Sequence, residues 1–419
     1  MEQKKKKIVW LCAFSDEKLR AHLNFNKFTC WNLIRRAAGR TYNKDFAVWN
    51  TNAIAEYEKL GNEFEIHVVA PHAGISGLTE FEDNGIFYHI FWSEWDIVLE
   101  MIKRRFNKRD INSFKNHRKI ISKVIRKIRP DLVHVTGIEN NFYAMAVLDL
   151  PKEIPVISML QTLVTDKRFR DGFNGTDEEY SFDSEMEKRI LMRSQYIATK
   201  VPNFREIITR DIKPNAEYLD MTLALTEPTH DIECEKKFDF VYFAAGISKA
   251  ADWAIEAFII ASQKQPGITL DVVGGYSEEY KQNLVNRLTE FNLQNNVVFE
   301  GKLTTHEDVL QQIRYSKFAL LPIKQDFICG TIRESMANGI PVITTVTPGT
   351  PTLNKNKLSV LLSEPGDFNA MAENMLLVLN SQELALTLKN NAMEIASASQ
   401  SNYDIIREWV STYKTILYK

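Results

Sequence analysis

Short apolar, β-branched runs recur along this chain and alternate with segments of helical spacing. In the first half the runs are KIVWLCAF, FEIHVVAP, LVHV and VISML, separated by longer stretches such as Asn50–Leu60 and Ile111–Arg129. A second series follows, FDFVYFAA, ITLDVVG, VVFEG, FALLPI and PVITTV, with helical spacing at Trp253–Lys264, Glu278–Asn292 and Glu307–Tyr315. Strands apolar on both faces, with helices between them, are what a buried parallel sheet demands. Two such series predict an α/β chain of two doubly wound domains. The stretch Glu217–Lys237 loses periodicity, collects acidic residues and contains Pro228. It reads as a linker, 217–237, between domains at 1–216 and 238–400. Residues 401–419 read as an amphipathic helix that can pack back on the first domain.

A length of 419 residues suits two substantial cores. The formal net charge of −2 argues against a dedicated nucleic-acid binder, which would carry a basic excess. Cys12, Cys30, Cys234 and Cys329 are scattered with no CxxC spacing, which suits a reducing compartment. The basic start and apolar run of MEQKKKKIVWLCAF are interrupted by Ser15, Asp16 and Glu17, so a first strand is the better reading than a secretory signal. No apolar stretch approaches the roughly 20 residues that span a bilayer. The expectation is a cytoplasmic protein.

Several signatures are missing. No GxGxxG follows the first strand, and GxxxxGK[ST], HExxH, GxSxG and Asp-x-Asp are absent. Without clustered carboxylates for a metal, a diphosphate here would be held by protein dipoles and cations, so no metal or other cofactor is expected.

The most informative stretch is ALLPIKQDFICGTIRESMANGIPVITTVTPGTP, Ala319–Pro351. It reads as a buried strand ending at Pro322, a loop with Asp326 and Gly330, a short helix ended by Gly339, and another strand from Pro341. Thr331 and Glu334 have the T-x-x-E spacing of a capping box, which predicts a helix start there. A helix amino terminus just after a strand offers unpaired N–H groups and the positive end of a dipole to an anion.

Asp326, seven residues, then Glu334-Ser-Met-Ala-Asn-Gly-Ile-Pro-Val-Ile resembles the carboxylate-x7-carboxylate signature of retaining GT-B glycosyltransferases of the GT4 (glycosyl transferases group 1) family, of the bacterial polysaccharide-assembly type. The resemblance implies two Rossmann-like doubly wound domains facing each other across a cleft, with a nucleoside-diphosphate sugar, UDP- or GDP-linked, as donor. It assigns Asp326 to the donor sugar hydroxyls and Glu334 to the ribose, with Gly330 and Thr331 at the diphosphate. FDFVYFAAGISKAADWAIEAF is similar to the family's first strand, turn and helix of the donor domain. Lys249 matches its diphosphate lysine, while Gly246 stands near where an arginine is usual. VVFEGKLTTHEDV matches the turn that lines the nucleobase, pointing to Gly301, Lys302 and Leu303.

The first half is more divergent. RPDLVHVTGIENNFYAMAV resembles the family's acceptor-side strand and loop, which suggests His134, Gly137 and Glu139 near the cleft. His134 alternates with Val133 and Val135, so a packed strand histidine is an equal reading. Gln161 stands where many relatives carry a histidine. Asp45, Trp49 and Asn50, in the segment that replaces a glycine-rich loop, are further acceptor-side candidates. Residues 103–129 form a basic run with apolar Ile121, Val124, Ile125 and Ile128 at helical spacing. A surface helix with one core stripe explains it; its charge density also suits loose contact with an anionic membrane at the inner face of the cell membrane.

The implied reaction is transfer of a sugar, with retained anomeric configuration, to a saccharide or polyprenol-linked acceptor in surface polysaccharide synthesis. Two other readings stay open: a degenerate GT-B protein that binds nucleotide sugar or a partner without turnover, and a GT-B sugar-nucleotide epimerase or glycoside phosphorylase.

Overall fold

The computed structural model describes residues 5–25, 45–61, 63–171, 175–225, 228–244, 250–324 and 328–418. Lys249, Gly246 and Asp326 lie outside the described residues. The chain divides into two compact units, one running to Ala224 and resuming at Ser401–Lys419, the other holding Leu225–Gln400.

The first unit is built on an eight-stranded sheet in the order β3-β4-β2-β1-β5-β6-β7-β8. Its strands are β1 (Lys7–Leu11), β2 (Glu65–Pro71), β3 (Gly77–Asp83), β4 (Ile86–Trp92), β5 (Leu132–Thr136), β6 (Val156–Met159), β7 (Tyr196–Ala198) and β8 (Glu217–Leu219). All neighbours are parallel except β3, which returns antiparallel on β4. Asn84 and Gly85 make that reversal, both with positive φ (49° and 78°), the backbone a two-residue hairpin turn needs. The longer helices of this part are α1 (Val48–Leu60), α2 (Glu94–Arg105), α3 (Lys115–Ile128), α4 (Asp177–Arg193) and α5 (Pro202–Asp211). In α3 the expected stripe Ile121, Val124, Ile125 and Ile128 is buried, with His117 on the same face.

The second unit has a six-stranded, wholly parallel sheet in the order β11-β10-β9-β12-β13-β14. These strands are β9 (Phe238–Phe243), β10 (Leu270–Val273), β11 (Val297–Gly301), β12 (Ser316–Leu321), β13 (Val342–Thr345) and β14 (Val360–Ser363). Between and after them run α6 (Ala251–Lys264), α7 (Glu278–Thr289), α8 (His306–Arg314), α9 (Gly330–Ala337), α10 (Phe368–Asn380) and α11 (Gln382–Ser397). The last helix, α12 (Asn402–Leu417), packs in the first unit. Its Trp409 ring meets Trp10 edge-on at 5.6 Å and donates Nε1–H to the Thr222 carbonyl at 3.0 Å.

Two sequence expectations need correction. The segment from 217 does not begin as linker: Glu217–Leu219 extends the first sheet beside β7. Three residues at a sheet edge are too few to show alternation. The hairpin β3–β4 was absent from the expected strands, although Asn84-Gly85 carries its signal.

In each sheet the strand order reverses next to the first strand, between β1 and β5 and between β9 and β12. Crevices at the carboxyl ends of strands beside such a reversal are where open α/β sheets take ligands.

Candidate functional site

The donor-side candidates gather at the carboxyl ends of the second sheet. Strand β12 pairs with β13 through Leu321↔Thr344 and then meets Pro322, which has no N–H to continue a ladder. Thr345 locks the two exits together: its Oγ1 accepts from the Ile323 N–H at 2.9 Å and donates to the Ile323 carbonyl at 2.8 Å.

Helix α9 follows, and its start differs from the expected one. The N-cap is Cys329, in extended conformation (φ −62°, ψ 142°), with no side-chain cap. Thr331 sits inside the first turn, and its Oγ1 donates to Cys329 Sγ at 3.2 Å. The Thr331–Glu334 capping box therefore does not form, because a capping residue must precede the helical backbone. Gly339 does follow the helix with a left-handed backbone (φ 63°), as a C-terminal glycine should.

A true capping box forms one strand earlier. Thr305 Oγ1 accepts from the Asp308 N–H at 3.1 Å, and Asp308 Oδ2 accepts from the Thr305 N–H at 2.9 Å. This fixes His306 as the first residue of α8. Side chains on a helix lean toward its amino end, so Glu334, one turn into α9, reaches back across the bare Cα of Gly330. A Cβ at Gly330 would stand 3.8 Å from Glu334 Oε1, and the same oxygen lies 3.8 Å from His306 Nε2. Glu334 is thereby set beside His306, which opens α8 three residues after the turn Gly301–Leu303. Gly301 has φ 73°, and Gly274 N–H donates to its carbonyl at 2.9 Å.

Two features here were not read from sequence. Gly274 packs against the end of β9, where an added Cβ would fall 2.2 Å from the Ala244 carbonyl oxygen; Tyr276 Oη donates to that oxygen at 2.8 Å. Lys324 Nζ lies 2.7 and 3.0 Å from the two carboxylate oxygens of Asp252, in the first turn of α6. It brings a cation to the helix start that follows residues 245–249. Lysine after a proline-ended strand gives no distinguishing pattern, which is why it was missed.

In the first unit three acceptor-side candidates are joined. With the Gln161 amide oriented to satisfy both neighbours, Trp49 Nε1–H donates to its oxygen at 3.1 Å and its nitrogen donates to Glu139 Oε1 at 3.0 Å. Asn140 Nδ2 donates to the same Glu139 oxygen at 3.0 Å. Gly137 has φ 78°, and a Cβ there would come within 2.7 Å of the Gln161 amide oxygen in that orientation. Beneath this loop Glu187 of α4 accepts from the Val164 and Thr165 N–H groups, both at 2.8 Å. Burial pushes its carboxyl up to about 7, against the pull of those donors. Asn50 Nδ2 donates to the Ala13 carbonyl at 3.0 Å, fixing the start of α1 against the exit of β1.

The other two candidates are engaged elsewhere. Asp45 pairs with Arg20, Oδ1 to Nη1 at 2.7 Å. His134 is fully packed, its Nδ1 2.7 Å from Tyr413 Oη and its ring 4.7 Å from Trp409. Burial drives its pKa down to about 3. Of the two readings of His134, the structure selects the core histidine, because β5 is central and α12 covers this face.

Among the described residues no group of three or more His, Cys, Asp or Glu side chains could hold a metal ion. No described helix is long and apolar enough to cross a membrane.

Comparison with known proteins agrees with this architecture. Residues 230–395 match the family model "Glycosyl transferases group 1". No curated protein matches the chain in sequence. Sucrose-phosphate synthase from Thermosynechococcus elongatus is similar in structure, with TM-score 0.68 and 14% identity over 99% of this chain and 100% of its own. HepE of Anabaena, solved with UDP and glucose, aligns with TM-score 0.64 and 15% identity over 98% of this chain and 99% of its own. The pneumococcal O-GlcNAc transferase GtfA, solved with UDP and GlcNAc, aligns with TM-score 0.59 and 12% identity over 72% of this chain and 60% of its own. This chain thus has the two-domain GT-B fold, and residues 230–395 of its second unit are similar to the glycosyl transferases group 1 family.

Proposed function

We propose that this chain is a retaining, metal-independent hexosyltransferase of the GT4 kind. It moves a sugar from a UDP- or GDP-sugar to a hydroxyl of a saccharide or polyprenol-linked acceptor, in the cytoplasm, during assembly of a bacterial surface polysaccharide. The observation that carries the reading is Glu334, reaching back over Gly330 to His306, the residue that opens α8 just after the Gly301–Leu303 turn. A carboxylate there is an acceptor pair for vicinal ribose hydroxyls, next to backbone groups suited to a base.

In this reading the bond from the anomeric carbon to the diphosphate oxygen breaks while a bond to the acceptor oxygen forms on the same face. The acceptor proton passes to the departing diphosphate. Charge on that leaving group is met by Lys249, by the α9 amino terminus at Gly330 and Thr331, and by Lys324, which takes over from the arginine that Gly246 replaces. Asp326 positions the donor sugar. Gln161, held between Trp49 and Glu139, presents an amide to an acceptor hydroxyl. The UDP and sugar complexes of the structural neighbours support a nucleotide-sugar donor.

The test is a thermal-shift screen against UDP-, GDP- and ADP-sugars, followed by nucleotide-diphosphate release with acceptor. Binding that Glu334→Ala abolishes, with turnover, supports the reading. Binding with no release under any acceptor favours the non-catalytic alternative, and binding untouched by Glu334→Ala removes the site assignment.

A further inference from the structure

Helix α2 is folded with its polarity reversed. Its inward side carries Asp96, 2% exposed, and Glu100, also buried. Both serve the start of α3. Asp96 accepts from the Asn116 N–H at 3.1 Å and the His117 N–H at 2.6 Å, and Glu100 accepts from the Phe114 N–H at 3.1 Å. These are the donors that the first turn of a helix leaves unpaired, and two anions there also meet the positive end of its dipole. Lys103 completes the inward row, with Nζ 3.2 Å from Glu100 Oε1.

Positions 95, 99, 102 and 106 share a second stripe of the helix, about a quarter turn round from that inward row. Those positions hold Trp95, Leu99, Ile102 and Phe106, all exposed, Trp95 by 72% and Phe106 by 63%. Packing of this unit gains nothing from four large apolar side chains in water, and such a stripe marks a contact surface. Its carboxyl end is cationic, with Arg105 and Lys108 exposed beside Ile102 and Phe106 in sequence. An apolar ridge edged by arginine and lysine matches the boundary between anionic headgroups and acyl chains.

We propose that α2 lies flat on an anionic lipid surface, inserting Trp95, Leu99, Ile102 and Phe106 and setting Arg105 and Lys108 against the phosphates. The inference does not depend on the transferase reading. It also extends the contact upstream of the run 103–129 expected from the sequence and confines it to that run's start: α3 turns its apolar stripe into the core and has only charge to offer.

The test is flotation of the full chain with phosphatidylcholine vesicles, with and without about 30% phosphatidylglycerol. Ile102→Glu/Phe106→Glu and Arg105→Glu/Lys108→Glu are compared with the wild type, and circular dichroism verifies that each is folded. The wild type should float with the anionic vesicles only, and each double variant should lower the bound fraction at least about tenfold. As an independent reading on unaltered protein, vesicles should blue-shift the emission, and Trp95→Phe should remove that shift. A wild type that stays in solution, or that floats equally well after Ile102→Glu/Phe106→Glu, overturns the proposal. So does a wild-type dimer that the apolar variant dissociates, which would assign the stripe to a second copy of this chain.

Discussion

Glu334 Oε1 lies 3.8 Å from His306 Nε2, which ties the second turn of α9 to the first residue of α8. The two helices follow different strands, β12 and β11, with β10 and β9 between those strands in the sheet. The contact thus places the proposed ribose carboxylate beside the helix start that follows the proposed base turn. Glu334→Ala should weaken UDP or GDP binding by about 10- to 100-fold, as loss of hydrogen bonds to a charged group implies. His306→Ala should cost less, about threefold to tenfold, through lost orientation of Glu334. Isothermal titration with the free nucleotides measures both. Equal affinities for wild type and Glu334→Ala would refute the assignment.

Lys324 is held by Asp252 at the opening of α6, and the proposed reading gives it the place of the diphosphate arginine that Gly246 replaces. Lys324→Ala should lower affinity for the nucleoside diphosphate about tenfold and leave affinity for the bare nucleoside unchanged. Lys324→Arg should restore much of it. A parallel loss for nucleoside and nucleotide would show that the lysine only supports the fold.

How far the sequence disclosed this arrangement depends on the range of the signal. Strand runs such as FDFVYF and PVITTV are buried on both faces, so local composition sufficed to place them. Gly339 was legible for a similar reason, since the left-handed backbone after a helix selects glycine. The capping box was misplaced because T-x-x-E and T-x-x-D spacings occur at both 331 and 305, and only the backbone of Cys329 decides between them. His134 needed knowledge of α12, 279 residues away, whose Tyr413 occupies its Nδ1. The link from Trp49 through Gln161 to Glu139 joins the start of α1 to two loops, and no window along the chain contains it.

Gly137 and Gln161 offer a test of that link. Alanine at Gly137 would put a Cβ 2.7 Å from the Gln161 amide oxygen at a residue with φ 78°, so the amide must move and the backbone is strained. We expect a stability loss of about 1–2 kcal/mol. We also expect acceptor KM to rise for Gly137→Ala as it does for Gln161→Ala, with donor affinity unchanged. Trp49→Phe removes one hydrogen bond without moving Glu139 and should give a smaller rise. If steady-state kinetics show all three variants altering donor KM instead, the loop does not serve the acceptor.

Asp271 gives a prediction about stability alone. It lies in β10 with no exposure, and Gln312 Nε2 donates to its Oδ2 at 2.8 Å. Burial raises its pKa from 3.8 to about 6, outweighing that hydrogen bond. The folded state therefore keeps a proton that the unfolded chain has already released. Its stabilising effect is complete below 3.8, declines as pH rises, and is lost once pH passes about 6. Asp271→Asn keeps an acceptor for Gln312 and cannot ionise. The variant should match the wild type near pH 4 and exceed it by about 2 kcal/mol at pH 7.5. Urea midpoints of the two proteins at the two pH values measure this difference directly, because contributions from every other titrating group cancel in the comparison. A gap that is the same at both pH values would mean that folding leaves the Asp271 pKa where it is in the unfolded chain.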